Sequence, residues 1–390
     1  MHKHDAIPCD DASVSVVARR FVAQPRNNAA IRLPCMLGCA AGSRSLFLMH
    51  RSFRTSFFSA ACALLPLLAG AQTGAPQNTA PAAPNPDQAA LVREVAAATG
   101  KDPAALNALL DGAVVKQGII DAMNRPAESK PWSAYRPIFL NPERIDEGVV
   151  FYRQHRALLD QIGQQYGVPP QFIVAIIGVE TNYGSNTGSY RVLDALVTLA
   201  FHYPPRAKYF RGELKTLLEL PANKLPGAIP DIYGSYAGAE GLGQFMPSSI
   251  RDFAVDADGD GHINLMASLP DAFASIANYF RAHGWQSGQP VAVQADPSAT
   301  AAPPPAYENT LPSQPLESFT AAGYAPTAQE DPSRPANLLT LDGANGPEYW
   351  LTFQNFYVIT RYNKSPLYAL AVTQLADAIA RGAAQAPAAQ

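Results

Sequence analysis

Apolar residues recur at helical spacing from about residue 91 to 285, and the breaks between runs carry helix-start and helix-stop residues. Asp102-Pro103 reads as an N-cap followed by proline in the first turn. It opens a helix with Leu106, Leu109 and Leu110 on one face. Asn141-Pro142 repeats the device ahead of a long helix with Val149, Val150, Tyr152, Leu158 and Ile162 at helical spacing. Gly167 ends it, and Pro169-Pro170 starts the next helix, QFIVAIIGVE. Further helices are expected at about 190–201, 205–220 and 270–284.

Residues 286–340 break this rhythm. They hold ten prolines, few long apolar runs and short extended pieces such as 290–293, which predicts a loop-rich insertion with short strands, 286–347. From Tyr349 to about Arg381 aromatic density returns, and the segment 348–385 ends in an amphipathic helix. The expected class is mainly α, an α+β chain with a small β part. No internal repeat is visible.

Composition narrows this further. The 390 residues are 47% hydrophobic and 16% charged with a net charge of −3, which excludes a highly charged disordered chain or a coiled coil. The 35 prolines predict that part of the chain is linker. Near-neutral charge removes the electrostatic footprint of a nucleic-acid binder.

The N-terminus reads as two things joined. From Met49 the chain runs MHRSFRTSFFSAACALLPLLAGAQ, with a basic start, an apolar run and small residues at Ala69 and Ala71. That is a secretory signal over 49–71 with cleavage before Gln72. The apolar run is too short to span a bilayer. Residues 1–48 then read as an over-extended start. All four cysteines (Cys9, Cys35, Cys39, Cys62) precede the cut, so the mature chain has neither disulfide nor thiolate. No cysteine stands where a lipid anchor would need one, after Leu68-Ala69-Gly70. The expected product is periplasmic, without a lipid anchor or a transmembrane helix. Residues 1–71 hold eight of the 29 basic and three of the 32 acidic residues, so what remains has a net charge of −8. Nucleic acid is disfavoured further. Residues 72–90, rich in proline and alanine, read as a flexible tether ahead of a helical region and core over 91–285.

Glu180 is the most informative residue. It ends a largely apolar helix beside a glycine-rich loop, where desolvation and the negative end of the helix dipole would raise its pKa. A raised carboxyl suits a general acid protonating a glycosidic oxygen. The alternative is a helix-terminal glutamate facing water. A second element, AEGLGQFMPSSI (239–250), has glycines permitting close backbone approach to a ligand and Gln244 offering donor and acceptor. Its bland reading is a tight loop between helices. Glu240 inside it is a rival acid, ranked below Glu180 because its glycine-rich surroundings should leave it solvated.

Asp256-Ala-Asp258-Gly-Asp260-Gly261-His262-Ile263-Asn264 matches the first nine positions of an EF-hand loop. Carboxylates fall at positions 1, 3 and 5, and His262 offers a backbone carbonyl at 7. Such spacing is repulsive unless a hard cation sits among the acids. Ala267 stands where the bidentate glutamate belongs, and Asp271 is the next available carboxylate. The expected ion is a structural Ca2+, with a solvated acidic turn as the alternative.

Together these elements resemble the lytic murein transglycosylases, specifically the membrane-bound lytic transglycosylase B family. The matching stretches are GVETNYG (178–184), SYAGAEGLGQFMPSS (235–249), DGDGHINL (258–265), ANYFRAHGW (277–285) and NFYVITRYNKSPLYALAV (355–372). The resemblance implies a lysozyme-like core with a helical N-terminal region. It implies nonhydrolytic cleavage of the β-1,4 bond between N-acetylmuramic acid and N-acetylglucosamine, leaving a 1,6-anhydromuramyl end. By that resemblance Glu180 is the single acid, then base. Ser235, Gln244, Tyr279, Tyr362, Asn363 and Tyr368 belong to the sugar-binding groove, tyrosine faces stacking on sugars. Each tyrosine taken singly could instead be core packing with a satisfied hydroxyl. The family also carries an EF-hand-like calcium site with a stretched end, which supports Asp271. No organic cofactor is implied. The partners implied are peptidoglycan glycan strands, with cell-wall synthesis proteins as candidates. A muramidase hydrolysing the same bond and a non-catalytic peptidoglycan-binding protein are the alternatives.

Overall fold

The computed structural model describes residues 86–124 and 130–385. The signal, the extended start and most of the tether lie outside them. The helices are α1 (Pro86–Thr99), α2 (Pro103–Asp111), α3 (Gln117–Met123), α4 (Trp132–Phe139), α5 (Pro142–Gln154), α6 (Arg156–Tyr166) and α7 (Pro170–Thr181), then α8 (Val192–His202), α9 (Ala207–Glu219), α10 (Pro247–Phe253), α11 (Leu269–Ala282), α12 (Leu316–Ala321), α13 (Gln354–Tyr362) and α14 (Pro366–Ala384). The strands are β1 (Tyr190–Arg191), β2 (Tyr233–Gly234), β3 (Ala292–Pro297), β4 (Gln314–Pro315), β5 (Tyr324–Pro326), β6 (Pro335–Gly343) and β7 (Gly346–Thr352).

The start signals act as the sequence indicates. Asp102 caps α2 by accepting from the Ala104 amide at 3.0 Å, and Asn141 caps α5 from the Arg144 amide at 2.9 Å. Gly167 ends α6 in the left-handed region. One helix differs. The long helix expected after Asn141 is broken at His155, so α5 packs on α7 and α14 while α6 packs on α11 and α7. A straight rod could not serve both neighbours. The His155 ring fills the corner, 4.6 Å from Phe151 and 6.0 Å from Phe273. Val150, expected on the apolar face, is 61% exposed because its neighbour Val149 takes the inward direction. At the N-terminus α1 begins at Pro86, inside the stretch expected as tether. Its Asp87 and Glu94 pair with Arg211 and Lys215 of α9 at 2.6 and 2.8 Å.

The centre of the fold is α7. Every residue from Phe172 to Thr181 is buried, with α5, α6, α11 and α14 around it. An all-apolar helix needs such complete cover. Two glycines make room where it ends. A Cβ on Gly178 would stand 2.7 Å from the Tyr183 ring, and one on Gly148 of α5 would strike the Tyr183 hydroxyl and Ile379.

The short strands of the insertion form one antiparallel sheet, ordered β4-β6-β7-β3-β5. It runs to Thr352, past the boundary expected at 347, because β7 returns along β6 from the turn at 343–346. Along β6 the side chains alternate. Ala336 and Leu338 face a small cluster with Leu316 and Phe319 of α12, while Leu339 and Leu341 join the main core. The sheet is thereby fixed against the helices.

Candidate active site

Glu180 lies in the last turn of α7 and is 9% exposed. Two successive left-handed residues, Asn182 (φ 51°) and Tyr183 (φ 57°), turn the chain sharply away. Gln244 (φ 52°) is the third non-glycine residue in that region among those described, and all three flank this site. Backbone held in so sparsely populated a region persists only where surrounding contacts over-determine it. Those contacts are visible. The Arg144 guanidinium donates to the Gly178 carbonyl, and the Tyr183 hydroxyl donates to the Arg144 carbonyl at 2.8 Å. Thr181 Oγ1 lies 3.1 Å from the Leu242 carbonyl and accepts from the Gly184 amide. The loop after Ser235 is thus tied to the end of α7.

Tyr368, in the first turn of α14, donates its hydroxyl to Glu180 Oε1 at 2.7 Å. Burial, and secondly the Glu180 charge, push the phenols of Tyr362 and Tyr368 well above their usual range, so both stay neutral donors. The Tyr362 hydroxyl donates to the Gly243 carbonyl, joining α13 to the same loop. Tyr279 stacks on His283 at 4.2 Å, lies 4.8 Å from Tyr362, and donates to the Arg361 carbonyl at 2.6 Å.

Of the residues assigned to sugar contact, Tyr368 is fully buried and Tyr279 is 8% exposed. Neither offers a free face for stacking, and both hydroxyls are taken by protein groups. Tyr368 holds Glu180, and Tyr279 packs against Tyr362. Tyr362 is half-buried. Gln244 Nε2 donates to the carbonyls of Thr187 and Gly241 at 3.2 and 3.0 Å. Ser235 Oγ accepts from the Ala239 amide at 3.0 Å and is buried in its own turn. Asn363 accepts from the Ser365 amide through its oxygen, while its buried Nδ2 has no partner.

Glu240 departs from the sequence reading. It is buried, 3% exposed, rather than solvated. The glycines fold the loop inward: Glu240 bridges to Phe245 through both backbone bonds, and a Cβ on Gly241 would meet Leu265. Its Oε1 has no partner, and burial alone pushes its carboxyl up to about 8.

The acidic loop gathers as expected at its first half. Asp256, Asp258 and Asp260 bring carboxylate oxygens within 4.8 Å of one another. Asp256 also accepts from the Gly259 and Gly261 amides, and the His262 amide bonds Asp260. Asp271, expected to close the set, stands outside it. It is 1% exposed, and its two oxygens accept from the Ala257 and Asn264 amides at 2.8 Å each. Its place in the first turn of α11 aims it at the backbone of the loop. Reasoning from sequence missed Arg144, Thr181 and Tyr183. The last two lie inside a quoted motif, but Arg144 gave no signal, standing 36 residues upstream on a polar first turn.

Comparison with known proteins agrees with this geometry. Residues 84–377 match the transglycosylase SLT domain family. Membrane-bound lytic murein transglycosylase B of Escherichia coli is 47% identical over 250 residues, 64% of this chain and 67% of that protein. The soluble lytic transglycosylase SltB1 of Pseudomonas aeruginosa superposes with a TM-score of 0.69 at 45% identity, covering 76% of this chain and 99% of that one. Escherichia coli Slt35, solved in complex with calcium, gives 0.70 at 41% identity over 77% and 95%. Pseudomonas aeruginosa SltB3, solved with NAG-NAM-pentapeptide, gives 0.65 at 31% identity over 75% and 78%.

Proposed function

Because the chain belongs to the transglycosylase SLT domain family and is a lytic murein transglycosylase acting on peptidoglycan, we propose that Glu180 performs the chemistry alone, first as acid and then as base. The carrying observation is the 2.7 Å bond from Tyr368 to a carboxyl buried at the end of α7. Glu180 protonates the oxygen leaving the muramyl anomeric carbon as the β-1,4 bond breaks. The carboxylate so formed is stabilised by the Tyr368 hydroxyl. It then takes the proton of the muramyl 6-hydroxyl as that oxygen closes on the anomeric carbon. Proton count balances, no water is consumed and the product is a 1,6-anhydromuramyl end. Ordinary glycosidases use a flanking carboxylate pair; Glu240 is isolated by burial and does not supply the second member.

Asn363, Gln244 and the Tyr362 edge bind the sugar around Glu180, Ser235 holds the loop that carries Gln244, and Tyr368 positions Glu180. Asp256, Asp258 and Asp260 suit a hard cation by donor type and spacing, and a relative has been solved in complex with calcium. A Ca2+ there would offset two of the three negative charges and brace the loop preceding α11. The helices of 91–285 and 348–385 form the catalytic body, with the sheet inserted between them. Export to the periplasm rests on the signal over 49–71. Among the described residues no helix is long and apolar enough to cross a membrane.

Mass spectrometry of muropeptides released from murein by the full-length protein and by Glu180→Gln tests this. Anhydromuramyl products from the parent and none from the variant are expected. Reducing-end products would make the enzyme a hydrolase, and no products from either would leave a binding protein.

A further inference from the structure

A second cavity, of about 630 Å³, lies between α4, the β6–β7 hairpin and the C-terminal half of α14. Its place is separate from the catalytic glutamate. Tyr368 touches Glu180 from the first turn of α14, whereas Arg381 is 13 residues further on. At 1.5 Å per residue the lining positions on α14, from Gln374 to Arg381, lie roughly 9 to 20 Å along the helix from Tyr368. The volume falls within the range of small-ligand sites, and the lining mixes indoles, amides and charges.

The charges are arranged in two sets. Arg136 and Arg381 present guanidinium groups on facing helices, and among the described residues neither has a carboxylate within ion-pairing distance. Arg136 is held in place by donating to Gln374 at 2.8 Å. Opposite them Glu348 is fixed from two sides, accepting from the Trp132 and Trp350 indoles at 3.1 and 3.5 Å. Asp377 also lines the wall, on the arginine side, one turn before Arg381 on α14, whose charge acts on it, which leaves Arg136 as the guanidinium farther from an acid. Unpaired guanidinium forks suit carboxylates, and a held carboxylate suits an ammonium. A ligand carrying both, with peptide groups for the amides between, matches the lining. A bare sugar would leave these charges unanswered, and Trp132, 1% exposed, offers it no stacking face.

We propose that this cavity docks the stem peptide borne by the glycan substrate, Arg136 and Arg381 holding its carboxylates and the Glu348 side its free amine. The inference rests on peptidoglycan as substrate and deepens it, naming the part of the polymer read away from the scissile bond. A strand engaged at both places is held by glycan and peptide together, which favours peptide-bearing over denuded strands.

Two of the protein's three tryptophans, Trp132 and Trp350, line the cavity, so intrinsic fluorescence reports its occupancy. The full-length protein is titrated with the free tripeptide L-Ala–γ-D-Glu–meso-diaminopimelate and, separately, with chitotetraose. The tripeptide is expected to shift the fluorescence saturably. Arg381→Ala and Arg136→Ala, both at exposed positions, should weaken its binding tenfold or more while turnover on peptide-free glycan stays at the parent level. Tripeptide binding unchanged in both variants, no binding to the parent, or chitotetraose binding lost in the variants would overturn the proposal. Failure of the parent to cleave peptide-free glycan would count against the catalytic reading instead, and the tripeptide titration would still decide this one.

Discussion

Tyr368 reaches Glu180 across 188 positions of sequence, from the first turn of α14 to the last turn of α7, and closes a 2.7 Å hydrogen bond. Both residues are buried. The bond fixes the direction of the carboxyl and, in the proposed mechanism, would supply a neutral donor to the carboxylate left when Glu180 gives up its proton.

Tyr368→Phe removes that donor and leaves the ring in place. A hydrogen bond to a charged group contributes about 1.5–3 kcal/mol, so turnover on murein should fall by roughly 10–100-fold. Thermal stability should drop by no more than about 2 kcal/mol. Turnover within twofold of the parent would show that Glu180 is positioned by other groups.

Glu240 makes stability depend on pH. Its folded carboxyl, raised to about 8, keeps a proton that the unfolded chain releases above about pH 4.3. The native state therefore binds the extra proton between those limits, and stability falls as pH rises through the window. Above pH 8 the loss is complete. Glu240→Gln cannot ionise, so its unfolding free energy should match the parent near pH 4.5 and exceed it at pH 8.5 by on the order of a few kcal/mol, read as a higher melting temperature. Parallel melting curves across that range would refute a buried, neutral Glu240.

Gly178→Ala tests the packing of the helix end. The added methyl would stand 2.7 Å from the Tyr183 ring, which is itself wedged against α5. Overpacking of this kind costs about 1–3 kcal/mol, and the displaced Tyr183 should carry Glu180 with it. Denaturant unfolding and murein turnover should both fall; loss of neither would mean that the ring moves freely.

The acidic loop should stabilise the protein only when metal is present. Calcium at about 100 times its dissociation constant should raise unfolding free energy by about 2.7 kcal/mol. Asp258→Asn should remove most of that gain while leaving the chelated protein little changed. Asp271→Asn should destabilise with and without calcium, because its oxygens hold the Ala257 and Asn264 amides. A calcium-independent melting temperature in the parent would exclude a cation there.

Local signals determined a good deal of this protein. Pro169-Pro170, Asp102 and Asn141 set helix starts because proline and capping side chains act within one turn, and Gly167 sets a stop for the same reason. The run from Phe172 to Val179 required a helix covered on all sides, whereas only the packing of α14 over its end decided that Glu180 is buried. The spacing of Asp256, Asp258 and Asp260 was enough to bring them together, since a tight loop is a local object. Tertiary structure decided what depends on distant groups. Whether Tyr279 and Tyr368 show a face or a hydroxyl is set by what packs over them. Arg144 matters only because α5 lies across the end of α7. Glu240 is buried although glycines surround it, because permissive backbone can fold toward the core as readily as toward water. The break at His155 likewise answers to α11 and α14, whose positions no stretch of α5 and α6 encodes.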